Sequence, residues 1–303
     1  MADLPEGWED VPCFLCGKGG GHVVVRARDL NYGAGGETFS LVRCPSCGLV
    51  FVNPRPGRDR IGRFYPSSYG PHADSDCPET GKPGRVSRRF RSLGDRAPGR
   101  YLDVGCGRGG SLLRMKSRGW QVAGFEVSEQ AAGHGRAAGL DIRTGRELAD
   151  ARFETGSFDL VSLFCVLPHL HDPQAVLREV SRVLRPGGTL LMTMPNFRSL
   201  NFALFRGWWY HLEPPRHLYF FSPDTLRTLA ARTGFVPAGR EFRSGGGGFR
   251  NSLALLGRES PAARSLEDVF GWRPLRWLVR FLSRYGVDPA RLGDTVDWWW
   301  TKA

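Results

Sequence analysis

The stretch Tyr101-Leu-Asp-Val-Gly-Cys-Gly-Arg-Gly-Gly110, followed by Gly124-Phe-Glu-Val-Ser128, decides how this chain folds. An apolar-rich run ends at Asp103, glycines then occupy positions 105, 107 and 109, and Leu112, Leu113 and Met115 begin a helical pattern. This reads as a strand, a sharp turn and a helix, with glycines where backbone must approach a ligand closely. A second strand, Trp120 to Phe125, ends in Glu126, a carboxylate able to accept hydrogen bonds from both hydroxyls of a ribose. The pattern implies an adenosine-containing cofactor.

Gly105-x-Gly107-x-x-Gly110 also satisfies the dinucleotide fingerprint, which alone is weak. Asp103, just ahead of the turn, would repel a pyrophosphate but suits a ligand carrying an ammonium and a sulfonium. Further on come the strand opening Phe158-Asp-Leu-Val161, a helix from Asp172 to Leu184, the turn Arg185-Pro-Gly-Gly188 and the strand Thr189 to Met194. With these four motifs in order, the sequence resembles the class I S-adenosylmethionine (SAM) methyltransferases from about Arg100 to Gly239 and again over its last dozen residues. The resemblance implies an α/β fold with a Rossmann-like seven-stranded sheet, and SAM as cofactor. A Rossmann-like domain binding another nucleotide is the alternative.

Of the 42 basic residues only four are lysines, and the arginines are spread along the chain, so the net charge of +12 reads as a composition bias and names no nucleic-acid partner. The acidic start, Met1 to Asp10, has no apolar core, and no apolar run reaches membrane-spanning length. The expectation is a cytoplasmic protein.

Cys13-Phe-Leu-Cys16-Gly17 and Cys44-Pro-Ser-Cys47-Gly48 are two C-x-x-C-G knuckles separated by twenty-seven residues. Each can offer two thiolates, and together four close a tetrahedral zinc site with no position left for substrate, hence a structural one. Redox dithiols or disulfides are the alternatives. A domain of about seventy residues buries little core unaided and gains stability from a metal. Two short strands, Gly21 to Ala27 and Thr38 to Arg43, lie between the knuckles. This ribbon, with Leu49-Val-Phe-Val-Asn-Pro-Arg-Pro56 behind it, is similar to the leader of a subgroup of small-molecule methyltransferases that includes sugar C-methyltransferases. The domains expected are a zinc ribbon over 1–69, a linker over 70–99 with a short basic helix at Val86 to Leu93, and a methyltransferase domain over 100–303. Cys77, Cys106 and Cys165 have no matching spacing and read as free thiols.

In this fold, ligands lie across the carboxyl ends of the strands. The resemblance implies that backbone amides from Gly105 through Cys106 and Gly107 to Gly109 meet the methionyl end of SAM. Asp103 would order the turn, Glu126 hold the ribose and Val127 flank the adenine. Relatives often have an Asp after the glycine of Thr144-Gly-Arg-Glu-Leu148; here Arg146 stands there, leaving Glu147, Leu148 or a backbone group to the adenine. In Phe164-Cys-Val-Leu-Pro-His-Leu-His-Asp-Pro173, Phe164 would line the cofactor and His169 pack beneath the sulfonium. Pro168 replaces a glutamate common in relatives, which removes support for a catalytic metal.

After strand five comes a lid, 196–221, containing His211-Leu-Glu-Pro-Pro-Arg-His-Leu-Tyr-Phe-Phe221, and then a helix start with Ser222 as cap, Pro223 in the first turn and Asp224 at the positive end. His217 occupies a position where related small-molecule methyltransferases carry a histidine facing the acceptor. It is the expected general base; His211 is the second choice, and a purely structural histidine the alternative. A helical insertion, 245–291, precedes a last strand at Thr295 to Thr301. Within it Arg273, Arg276, Arg280 and Arg284 share one side of a helical wheel over 272–285. That helix could pack over the active site, meet a second subunit in a homodimer, or, less simply, lie on a membrane surface.

The reading is a SAM-dependent methyltransferase acting on a hydroxyl or acidic carbon of a small molecule, with a structural zinc ribbon. Specific nucleic-acid binding is not expected. The alternatives are an rRNA or tRNA base methyltransferase with a zinc module for RNA, and a non-catalytic SAM-binding or zinc scaffold protein.

Overall fold

The computed structural model describes residues 4–33, 36–66, 69, 97–243, 247–259 and 293–303. The helix expected at Val86 to Leu93, most of the linker, Cys77 and the basic helix 272–285 lie outside these residues. Contacts divide the chain into two compact units, and neither is one continuous stretch: Met1–Pro66 with Met194–Thr228 and Glu241–Val296, and Ser67–Thr193 with Leu229–Arg240 and Asp297–Ala303.

In the first unit, β1 (Trp8–Glu9), β2 (His22–Arg28), β3 (Thr38–Arg43), β4 (Val50–Val52) and β5 (Arg55–Pro56) come from the N-terminal residues. β2 and β3 match the two expected strands closely. β1 pairs with β5, while β2, β3 and β4 form an antiparallel sheet.

The second unit holds β6 (Arg100–Val104), β7 (Gln121–Glu126), β8 (Ile142–Thr144) and β9 (Phe158–Phe164), and most of β10 (Leu184–Pro195). The pairs β6–β7, β7–β8, β6–β9 and β9–β10 are all parallel. Tyr101, Leu102, Leu160, Val161 and Leu163 are buried, the near-continuous apolar reading of strands covered on both faces. Helices α1 (Gly110–Lys116), α2 (Glu129–Ala137) and α3 (Pro173–Val183) connect these strands. The Ser128 hydroxyl accepts from the Ala131 amide to cap α2, and the Asp172 carboxylate from the Ala175 amide to cap α3, with Pro173 in the first turn. The expected turn at Arg185-Pro-Gly-Gly188 falls inside β10 as an irregularity: Leu184 faces Phe158, but Thr189 already faces Leu160.

A fourth strand of the antiparallel sheet, β11 (Tyr219–Phe220), pairs antiparallel with β4 and comes from the lid. α4 (Leu200–Phe205) precedes it, and α5 (Pro223–Arg232), β12 (Phe235–Arg243), α6 (Gly247–Glu259) and β13 (Thr295–Lys302) follow. β12 and β13 complete a seven-stranded sheet of order β12-β13-β10-β9-β6-β7-β8. The chain runs outward from β6 to β8 and then returns to β9 on the other side of β6. That reversal is a topological switch point, where ligands of open α/β sheets bind.

Among the described residues no helix is long and apolar enough to cross a membrane.

Candidate active site

At the switch point, Gly105, Gly107 and Gly109 have φ of 71°, 54° and 84°, a region side chains rarely adopt. Space forbids side chains as well: a Cβ on Gly105 would stand 2.4 Å from Val166 Cγ2, and one on Gly109 2.3 Å from Leu140 Cδ1. The amides expected to face SAM are committed inside the turn. Those of Gly105 and Cys106 donate to the Phe125 carbonyl at 2.7 and 3.1 Å, that of Gly109 to the Cys106 carbonyl at 3.0 Å, and that of Gly107 to Glu126 Oε2 at 2.8 Å. In this arrangement the glycines contribute shape, and the amides of Gly105, Cys106, Gly107 and Gly109 each have a partner within the protein.

Glu126 is buried at the end of β7, and its Oε1 accepts from the Ser128 amide at 2.9 Å. One carboxylate therefore ties the glycine loop to the start of α2. Beside it Val127 is 62% exposed, an apolar side chain standing in the open. Asp103 is buried and accepts from Ser162 Oγ, which is 2.6 Å from the Tyr101 hydroxyl. These bonds tie β6 to β9 just ahead of the turn. Burial, then the Asp103 charge, pushes the Tyr101 hydroxyl well above its ordinary range, so it stays a donor. Burial likewise raises the Cys106 thiol, an inert packing group.

Glu147 and Asp150 form a capping box around the turn Leu148–Ala151. The Arg146 and Glu147 amides donate to Asp150 Oδ2 at 2.8 and 2.9 Å. An acid thus does sit at this loop, but from Asp150, a position the sequence reading passed over. Leu148 is buried in the packing. Phe164 packs half-buried against the core around Tyr101, and His169 closes the turn Leu167–His169 with its amide on the Val166 carbonyl. Between them Cys165 is exposed with φ 59°, a strained backbone just past the end of β9. Its thiol drew no functional reading from the sequence.

In the other unit, Cys13, Cys16, Cys44 and Cys47 bring their sulfurs within 4.8 Å of one another. Cys13 and Cys47 lie 3.5 Å apart, Cys16 and Cys44 3.4 Å. Zinc–sulfur bonds of about 2.3 Å in a tetrahedron hold sulfurs about 3.8 Å apart, so the set suits zinc. Burial raises the Cys13 and Cys47 thiols. At Cys44 burial pulls the same way but is outweighed, chiefly by the Cys47 and Ser46 amides, which bring the thiol down to about 7.

Leu41, Val50, Val52 and Phe64 of the ribbon share one buried core with Phe197, Phe202, Phe205, Trp209, Leu212 and Phe220 of the lid. Arg55 donates to the Tyr219 hydroxyl at 2.6 Å and to Glu9 Oε1 at 2.6 Å. Phe14, inside the first knuckle, meets the rings of Tyr219 and Phe221 edge-on at 4.7 and 6.4 Å. His217 is 4% exposed. Its Nδ1 is 2.9 Å from the His211 carbonyl, a group that can only accept, so Nδ1 carries the proton and Nε2 the lone pair. Burial lowers its pKa below the ordinary 6.5, against the pull of Glu213 and of the His211 carbonyl. The His211 ring lies 3.8 Å from Asp294 Oδ2, whose other oxygen accepts from Trp209 Nε1 at 3.1 Å. His211 thus meets His217 through its backbone. Close by, a cavity of about 220 Å³ is lined by Asn31, Tyr32, Tyr210, Asn251, Leu255 and Arg258.

Residues 82–238, just over half of the chain, match the family described as "Methyltransferase domain". The chain belongs to this family. It is 36% identical over 119 residues to the ubiquinone biosynthesis O-methyltransferase of Xanthomonas oryzae pv. oryzae, a match covering 36% of this chain and 48% of that one. To the enzyme of the same name from Bordetella pertussis it is 32% identical over 152 residues, 46% of this chain and 63% of the other. To norajmaline N-methyltransferase of Rauvolfia serpentina it is 31% identical over 124 residues, 37% and 42%. The chain therefore spans between 42% and 63% of the length of these curated relatives. Among solved structures, a SAM-dependent methyltransferase from Archaeoglobus fulgidus aligns with a TM-score of 0.49 at 17% identity, covering 72% of this chain and 92% of that one. The described residues form an α/β fold whose seven-stranded sheet is Rossmann-like.

Proposed function

We propose that this methyltransferase acts on a hydroxyl or acidic carbon of a small molecule, with His217 as general base. The observation that carries the reading is the state of that imidazole: buried, kept neutral, and held by the His211 carbonyl in the tautomer with its lone pair on Nε2. Neutral imidazole can take a proton from the acceptor as the methyl group arrives, an effect of about 10²–10⁴ in rate. SAM, when bound, supplies an electrophilic methyl group. The residues that would hold it are the cradle at Gly105 to Gly109, with Asp103 ordering the turn, Glu126 at the ribose and Val127 at the adenine. Phe164, His169, Glu147 and Leu148 complete the proposed cofactor set, and zinc in the Cys13–Cys16–Cys44–Cys47 site is proposed as structural.

The lid, 196–221, would form the acceptor pocket. Its Tyr210 lines that cavity with the ribbon residues Asn31 and Tyr32, which supports ribbon and lid working together on the acceptor. The ubiquinone biosynthesis relatives are O-methyltransferases by name, which favours a hydroxyl.

The test is incubation with methyl-labelled SAM and a panel of phenols, catechols and sugar nucleotides. Label in a small organic product, lost in His217→Ala, is expected. Label found only in added rRNA or tRNA would replace this reading with the base-methyltransferase one.

A further inference from the structure

Beside His217 lies an arrangement that the general-base reading does not account for. Arg216 is 0% exposed, and its guanidinium forks onto a ribbon carboxylate: Nη1 to Asp29 Oδ2 at 2.6 Å and Nη2 to Asp29 Oδ1 at 2.7 Å. Nη1 also donates to the Phe64 carbonyl at 2.8 Å, and Cζ stands 4.6 Å over the Tyr32 ring. Nε approaches Glu213 Oε2 at 3.5 Å. We propose that Asp29 and Arg216 are positioning residues: the ribbon's carboxylate locks the turn 213–217 and thereby fixes the tautomer and direction of His217. The proposal rests on the reading of His217 as base.

Stability alone is a poor reason for such a pair. Two charges taken out of water recover little more than their desolvation cost, and well-packed apolar side chains often hold a fold as well or better. A bidentate fork does what apolar packing cannot, because it fixes the angle as well as the position of the group it grips. Here that grip acts on both ends of one turn. Arg216 adjoins His217, and Glu213, four residues back, touches Arg216 through its carboxylate and accepts the His217 amide on its carbonyl at 3.0 Å. Glu213 has φ 41°, a strained conformation that surrounding contacts must hold. With the turn fixed, His217 Nδ1 meets the His211 carbonyl and Nε2 keeps the lone pair. If the turn relaxes, that hydrogen bond lengthens and the two tautomers mix.

The experiment uses the full chain and needs no acceptor. Nitrogen-15 and proton NMR of the His217 ring, assigned by its loss in His217→Ala, reports which nitrogen carries the proton. Wild type is expected to show one tautomer, protonated on Nδ1, with that proton slow to exchange. Two perturbations follow: Arg216→Lys, which keeps the charge but not the fork, and the double change Asp29→Leu with Arg216→Met, which removes the buried charges together. The expected result is a folded protein with unchanged SAM affinity in which the Nδ1 proton signal is lost and the tautomers mix. A single Nδ1-protonated tautomer persisting in the folded double variant overturns the proposal. So does unfolding of the double variant, since the pair would then be holding the fold and not the histidine. If His217→Ala still turns over at the wild-type rate, the base reading fails, and the tautomer result stands or falls separately.

Discussion

Gly107 and the carboxylate its amide meets, Glu126, are 19 residues apart, whereas Asp29 and the guanidinium it grips, Arg216, are 187 apart. The two regions are assembled on different principles. Around the glycine loop, the contacts join strand–helix units that follow one another in the chain, β6 and its loop to β7 and the start of α2. Around His217, the lid supplies the histidine and a strand, while the ribbon supplies the rest of the sheet, a carboxylate, and the Phe14 ring set between two of the clustered cysteines. Changes in the first region should therefore act on one contact at a time, and changes in the second should spread through one shared core.

The largest effect that would sharpen this contrast is loss of the zinc site. The four-cysteine set predicts one zinc per chain by metal analysis, and Cys44→Ser should release it. A structural zinc in small peptides is worth about 10–16 kcal/mol at neutral pH, so the ribbon, and the lid core with it, should lose its cooperative melting transition. SAM binding should remain measurable, because its proposed residues all lie in the other unit. Metal-free protein that keeps an ordered lid by hydrogen exchange would break the comparison.

Next in size is His217→Ala. Turnover should fall by about 10²–10⁴ with SAM affinity nearly unchanged. A variant turning over near the wild-type rate would reduce the histidine to a piece of the lid.

A smaller effect concerns pH. Because burial lowers the His217 pKa below 6.5, its imidazole stays neutral in the folded protein at pH values where an exposed histidine would be charged. The acid limb of kcat/KM should fall below pH 6.5. The same shift adds stability that is fully present above pH 6.5 and lost as the pH drops through the folded value. In His217→Ala, both the limb and this part of the pH-dependent melting should disappear. An acid limb above pH 6.5 would assign it to another group.

The smallest expected signal is with RNA, where binding should be weak, salt-dependent and non-specific, with Kd of about 10⁻⁴–10⁻⁶ M near physiological salt. Tight structure-specific binding in moderate salt would give the ribbon a different partner.

What the sequence made legible follows the same division. β6, β7, β9, the cap at Ser222 and the four clustered cysteines were readable because each is written in a short window: an apolar run, a capping residue, a knuckle. Asp150 was missed because it reaches back to the Gly145 loop from beyond the point where an acid was expected. The pairing of Tyr219–Phe220 with β4 was invisible, since a two-residue strand carries no periodicity and its partner lies far back in the chain. Arg216 and Asp29 looked like two more members of a chain rich in charge, and only burial singles them out. His217 was found by the resemblance and by its place before a capped helix, while its tautomer required the His211 carbonyl to be seen.

The most direct measurement of the central claim is calorimetric titration of SAM into wild type, Glu126→Ala and His217→Ala. The account predicts that wild type and His217→Ala bind alike, that NAD does not bind, and that Glu126→Ala weakens SAM by about 1.5–3 kcal/mol, the scale of a hydrogen bond to a charged group. Equal SAM affinity in Glu126→Ala and wild type, or tight NAD binding, would contradict it.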